Sequence, residues 1–129
     1  APDHDTYMKA CNPAGDLGDK VNESLEVLGS RESLRRALRI TLVKGVNMHD
    51  PEGYGELIKK ARPDYVEVKA YMHIGYSRNR LPREAMPKHA EVLEFAKDVA
   101  EASGYKPAMD VGLSRVALIS KDGGVKHLV

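Results

Sequence analysis

Arg39-Ile40-Thr41-Leu42-Val43-Lys44-Gly45-Val46-Asn47-Met48-His49-Asp50-Pro51-Glu52 is the stretch on which the fold turns. Arg39 to Lys44 is apolar and β-branched between two cations, which suits a strand. Gly45 to Met48 makes the turn out of it. Asp50-Pro51-Glu52 then starts a helix: the Asp50 carboxylate can cap free N–H groups, the proline ring suits the first helical position, and Glu52 sits at the positive end of the dipole. Tyr54, Leu57, Ile58 and Ala61 share one face of that helix, which stops before Pro63. Tyr65 to Lys69 (Tyr-Val-Glu-Val-Lys) reads as a second strand. Strand, helix and strand at this spacing predict a right-handed βαβ unit.

Working upstream, Asp16 to Leu28 places Leu17, Val21, Leu25 and Leu28 on one helical face, with Gly29 as a stop. A short helix over Glu32–Ala37 is expected to expose Arg31, Arg35 and Arg36. Ala1 to Gly15 reads as loop with one helical turn around Thr6–Ala10. Downstream, a long loop covers Ala70 to Pro87. A clear helix over Lys88–Ser103 carries Val92, Phe95, Ala96 and Val99 and ends at Gly104. Ser114–Ser120 is the last predicted strand, followed by a turn over Lys121–Gly124 and a tail over Val125–Val129 that pairs or frays. The reading is α/β: βαβ units with a mostly parallel sheet, in a single domain over residues 1–129. Three strands are few for a parallel sheet, so the chain looks like part of something larger.

Composition narrows the class. With 129 residues, 42% hydrophobic and 30% charged, the chain has the balance of a globular domain. The net charge of +1 announces no nucleic-acid partner, so such a partner must be argued from local clustering. No apolar run approaches the roughly 20 residues that span a bilayer, and the N-terminus does not resemble a signal peptide. One cysteine, Cys11, excludes an internal disulfide and a cysteine-rich metal site. These features point to a cytoplasmic protein with no membrane partner.

Two strand ends are rich in polar groups, where ligands gather in parallel α/β folds. At the first, Lys44 and Asn47 can offer an ammonium and an amide to a bound anion; equally, they belong to an ordinary strand-to-helix turn. The second runs from Lys69 to Lys88. It holds Lys69, Arg78, Arg80, Arg83 and Lys88 against the single carboxylate Glu84, with Tyr71, His73 and Tyr76 among them. Cations interleaved with aromatic rings suit RNA, pairing with phosphates and stacking on unpaired bases. A solvated basic loop is the competing reading. Lys69 shares a strand face with Glu67, so a structural ion pair competes with a catalytic role. His49 and His73 lack further ligands at suitable spacing, so no metal site is expected.

Taken together, Arg39 to Tyr54 and Arg62 to Pro87 closely resemble the C-terminal half of the archaeal tRNA 4-demethylwyosine synthase family. Ala1-Pro-Asp, Thr6-Tyr7, Asn22 to Leu28, Pro87 to Lys97 and Ser114 to Ser120 continue the likeness. The resemblance implies the C-terminal half of a partial (β/α) barrel in a radical S-adenosylmethionine lyase. That family builds the tricyclic wyosine base from N1-methylguanosine in phenylalanine tRNA, with pyruvate as the small substrate. It implies Lys44 and Asn47 on the cofactor side of the barrel mouth and Lys69, as the catalytic candidate, on the substrate side. It also implies tRNA docking, at the anticodon region, through Tyr71, His73, Tyr76, Arg78, Arg80, Arg83 and Lys88. The full-length family uses S-adenosylmethionine and [4Fe–4S] clusters, and a cluster needs three thiolates where this chain has one. The chain is therefore expected to carry no cofactor itself, to be inactive alone, and to need a missing N-terminal half that holds the cluster. A non-catalytic RNA-binding module and a bland assembly domain remain as alternatives. An open sheet edge along Arg39–Lys44 would make the isolated chain a homo-oligomer.

Overall fold

The computed structural model describes residues 1–126. In chain order it contains α1 (His4–Cys11), α2 (Gly18–Ser30), β1 (Ala37–Leu42), α3 (Pro51–Ala61), β2 (Tyr65–Ala70), 3₁₀ turns at Gly75–Asn79 and Arg83–Ala85, α4 (His89–Ser103), β3 (Lys106–Val111) and β4 (Val116–Ser120). Of the tail expected over 125–129, residues 127–129 lie outside the described residues.

The four strands form one sheet in the order β1-β2-β4-β3. β1 and β2 pair in parallel from Ala37↔Tyr65 to Leu42↔Ala70, with α3 as the crossover, so the predicted βαβ unit is present. The parallel pairing stops there: β4 is antiparallel to β2, and β3 is antiparallel to β4. β3 is missing from the sequence reading. Pro107 removes a ladder donor, and a register shift between Pro107 and Met109 spoils the alternation that marks a strand. The helix α4 does lead to a strand running in the direction of β2, namely β3. β4 then folds back between the two, which turns an expected parallel sheet into a mixed one.

One face of the sheet is packed. Leu42, Val66, Val68, Ala70, Ala117 and Ile119 meet Tyr54 and Ile58 of α3 and Val92, Phe95, Ala96, Val99 and Ala100 of α4 in one buried cluster. Tyr54 and Phe95 pack edge to face at 5.8 Å, the arrangement favoured by the ring quadrupoles. The cap of α3 follows the sequence reading, with Gly53 N donating to Asp50 Oδ1 at 3.0 Å and Pro51 in the first turn. Strand alternation sends Arg39, Thr41, Glu67, Lys69, Val116 and Leu118 to the opposite face, against which no helix packs closely among the described residues.

Two expectations upstream are corrected. Gly29 does not end α2. It lies inside the helix and is buried where α2 crosses α3, and a Cβ there would collide with the Lys60 carbonyl. The helix expected over Glu32–Ala37 is absent, and β1 starts at Ala37 instead. Arg36 is buried, not exposed: its Nη1 lies 3.1 Å from Gly29 O and 3.4 Å from Leu28 O, its Nε 3.8 Å from Asp64 Oδ2, and its backbone N donates to Asp64 Oδ2 at 2.8 Å. A cation on the last carbonyls of α2 satisfies groups that the helix cannot satisfy itself. That demand, with the Asp64 bond, pulls the segment out of helix.

Candidate nucleic-acid interface and open sheet face

The C-terminal ends of β1 and β2 are tied to one another and to the loop that follows. Tyr71 N donates to Leu42 O at 2.8 Å, and Lys44 N donates to Ala85 O at 2.8 Å. The two polar segments singled out in the sequence therefore meet in space. The first is a closed turn. Asn47 is buried; its Oδ1 accepts from Val43 N at 2.7 Å, its Nδ2 donates to Thr41 O at 2.9 Å, and its carbonyl accepts from the Tyr54 hydroxyl at 3.1 Å. Both ends of the amide are engaged inside the turn, so Asn47 acts on its surroundings by holding the backbone. Lys44 places its Nζ 2.6 Å from Glu91 Oε1 in the first turn of α4. That ammonium and the Lys88 backbone N–H hold the Glu91 carboxyl below the usual carboxylate range. On the other side of this turn, Thr6 Oγ1 of α1 lies 3.1 Å from His49 Nε2.

The second segment is a scaffolded loop with two 3₁₀ turns, where the sequence suggested unstructured chain. Tyr71, expected to offer its ring to RNA, instead turns it inward and is only 6% exposed. Its hydroxyl lies 3.0 Å from His73 Nδ1, 3.2 Å from Ser77 O and 3.4 Å from Leu81 O, so one phenol gathers three points of the loop. His73 is half-buried against it, ring to ring at 6.3 Å. Ser77 Oγ, placed 2.6 Å from Ile74 O and 3.0 Å from Met72 O, closes the first 3₁₀ turn. A serine bonding to a carbonyl three residues back is a recognisable local device, and the sequence reading passed over it. At the far end, Arg115 Nη1 donates to Pro87 O at 2.9 Å.

What the scaffold leaves outside is the rest of the predicted set. Tyr76, Arg78, Arg80, Arg83 and Lys88 are exposed, and none of these four cations has a carboxylate within ion-pair distance among the described residues. Ile74, not singled out in the sequence, is exposed beside Tyr76 in the chain.

Lys69 belongs to neither group. It stands on the uncovered face of β2, between Thr41 of β1 and Val116 of β4 in the register. The Glu67 carboxylate that competed for it belongs to Arg39, with Nη2 to Oε2 at 2.7 Å. Lys69 therefore presents an ammonium with no carboxylate partner among the described residues. Beside the edge of β1, a groove of about 480 Å³ is lined by apolar side chains such as Leu25, Ile40 and Leu57 and by polar ones such as Asp3, Asn22 and Arg39. Nothing pairs with the outer edge of β1 among the described residues. No helix there is long and apolar enough to cross a membrane.

The described residues thus form a mixed α/β sheet packed by helices on one face, with charged groups on the other face and a cationic loop at the strand ends. Comparison with known proteins makes the class specific. The family model described as wyosine base formation matches residues 60–121. The S-adenosyl-L-methionine-dependent tRNA 4-demethylwyosine synthase of Pyrococcus abyssi is 45% identical over 124 residues, covering 95% of this chain and 36% of that protein. The synthase of Methanocaldococcus jannaschii is 37% identical over 122 residues, covering 95% of this chain and 38% of its own length. A solved structure of TYW1 with a lysine–pyruvate adduct bound superposes with a TM-score of 0.82 at 32% identity, over 97% of this chain and 40% of that one. Archaeal TYW1 superposes at 0.71 with 29% identity, over the same shares. The chain belongs to the tRNA 4-demethylwyosine synthase family and spans a little over a third of the length of these curated relatives.

A [4Fe–4S] cluster, which the family resemblance implies for the full-length enzyme, does not fit the residues present. It takes three thiolates, and Cys11 is the one cysteine of the sequence, exposed at the end of α1. Any cluster would be held by residues other than these.

Proposed function

We propose that this chain is the substrate-facing, C-terminal portion of a cytoplasmic radical S-adenosylmethionine enzyme that converts N1-methylguanosine in phenylalanine tRNA to 4-demethylwyosine with pyruvate. The observation that carries this is the 45% identity running through 95% of the chain. The exposure and pairing of its residues support the following roles. Arg78, Arg80, Arg83 and Lys88 neutralise tRNA phosphates beside the anticodon, on a loop kept in shape by Tyr71, His73 and Ser77. Lys69 directs its charge across the uncovered sheet face, where it holds an anionic group of the small substrate, the pyruvate carboxylate. Asn47 and the Lys44–Glu91 pair fix the end of β1 on the cofactor side. The remaining portion of the enzyme, which bears the cluster, pairs with the open edge of β1 and fills the groove next to it.

A chimaera tests this reading. This chain replaces the matching 36% of the Pyrococcus abyssi synthase, and 4-demethylwyosine is measured by mass spectrometry of digested tRNA. Product is expected, and Lys69→Ala should lower its rate by at least tenfold. Lys69→Arg should restore part of that loss, because the role assigned is one of charge. A chimaera that folds, carries its cluster and makes no product would sink the proposal. Without the complement, the exposed edge of β1 should make the chain self-associate, and light scattering showing a stable monomer would remove the edge argument.

A further inference from the structure

Two of the most exposed large side chains of the molecule stand two residues apart on its most cationic loop. Ile74 is 67% exposed and Tyr76 is 77% exposed, flanking Gly75 at φ +56°. The segment is not slack. Ser77 Oγ is bonded on both sides of Ile74, at Met72 O and Ile74 O, and also accepts from Ile74 N at 3.3 Å. Tyr71 secures Ser77 O from below. Two apolar side chains are thus held in water by an ordered backbone that could have turned them inward, as it turns Tyr71.

We propose that Ile74 and Tyr76 form a stacking platform for an unpaired RNA nucleotide, so that this loop selects single-stranded RNA over duplex. The inference rests on the RNA reading above and deepens it. Charge decides the occupant. An apolar protein surface covering Ile74 and Tyr76 would also desolvate some of Arg78, Arg80 and Arg83, which have no carboxylate partners of their own among the described residues, and buried unpaired cations are costly. A single strand meets both demands at once: its phosphates neutralise the arginines, and a splayed base offers a flat apolar face to the ring. In a duplex the base faces are already stacked, and a short 3₁₀ turn reaches only the backbone. The tyrosines therefore divide the work, Tyr71 building the loop and Tyr76 using it.

The test measures binding of the 129-residue chain to two RNAs of equal length and charge, a hairpin with a seven-nucleotide loop and a blunt duplex. The hairpin carries 2-aminopurine in its loop. The unsubstituted chain should prefer the hairpin and quench its fluorescence. Tyr76→Ala should weaken hairpin binding by about tenfold, leave duplex binding and the salt slope unchanged, and abolish quenching. Tyr76→Phe should keep all three, and Ile74→Ala should fall between. Arg78→Ala with Arg80→Ala and Arg83→Ala should weaken both RNAs together and flatten the salt slope. Equal affinity for hairpin and duplex, or Tyr76→Ala binding both as before, would overturn the platform while leaving the RNA reading standing; the second result would assign the pair to a protein contact. No binding to either RNA at low salt would overturn both.

Discussion

The two faces of the sheet are made from the same strands and obey opposite rules. On the helix side, Val66, Val68 and Ala70 of β2 and Ile119 of β4 are almost wholly removed from water. On the other side, the residues between them are Glu67, Lys69 and Leu118, with Arg39 paired to Glu67 and Lys69 without a carboxylate partner among the described residues. One face is finished by this chain, and the other is a polar surface held ready at the ends of the strands. The difference teaches that strand parity separates the packed side from the open one: the even positions of β2 hold the core together and the odd ones stand on the uncovered face.

Neighbouring residues of opposite parity offer the sharpest way to break this comparison. Ile119→Ala should cost about 3 kcal/mol of unfolding free energy, through lost transfer energy and a cavity between β4 and α4. Leu118→Ala, one residue away on the open face, should cost less than about 1 kcal/mol. Denaturant unfolding midpoints decide it; similar losses would mean that the open face is packed in solution. Next in size is Tyr71→Phe, which removes the hydroxyl that gathers His73, Ser77 and Leu81. It should cost about 1–2 kcal/mol and raise hydrogen exchange across residues 72–81 while α4 stays protected. Uniform exchange in the variant would show that the loop does not depend on the phenol.

The loop arginines should behave like the open face, mattering little for stability and much for binding. Replacing Arg78, Arg80 and Arg83 by alanine should leave the unfolding midpoint within about 0.5 kcal/mol. The log–log salt slope of RNA binding should fall by about 2 for single strands. The smallest effect is one of pH. The Arg36 backbone N–H, with Lys121 and the Arg36 guanidinium beside it, holds the Asp64 carboxyl below its ordinary value of 3.8. A depressed carboxylate stabilises the fold above its unfolded value, and that contribution is lost as pH falls through the folded one. Asp64 is partly exposed, so Asp64→Asn should flatten the acid limb of the stability curve by less than about 1 kcal/mol. An unchanged limb would mean that the Asp64 charge does not help hold the start of β1 to the turn before β2.

Local chemistry was enough for β1, α3, β2 and α4. Their periods, the Asp50 cap, Pro51 and Gly104 act within a few residues of the chain. The same holds for the cationic loop and for the parity that puts Lys69 on a face with Glu67. The tertiary structure alone decided what those groups do there. It gave Glu67 to Arg39 and tied Lys44 to Glu91, because those partners lie far apart in sequence, and it closed the Asn47 amide on Val43 N and Thr41 O once the turn had formed. It also buried Arg36 on the carbonyls of α2 and turned Tyr71 inward while leaving Ile74 and Tyr76 in water. Hydrophobic period tells which side of an element is apolar. Which polar group finds a partner, and which is left for a ligand, depends on distances that exist only after the sheet and helices have closed.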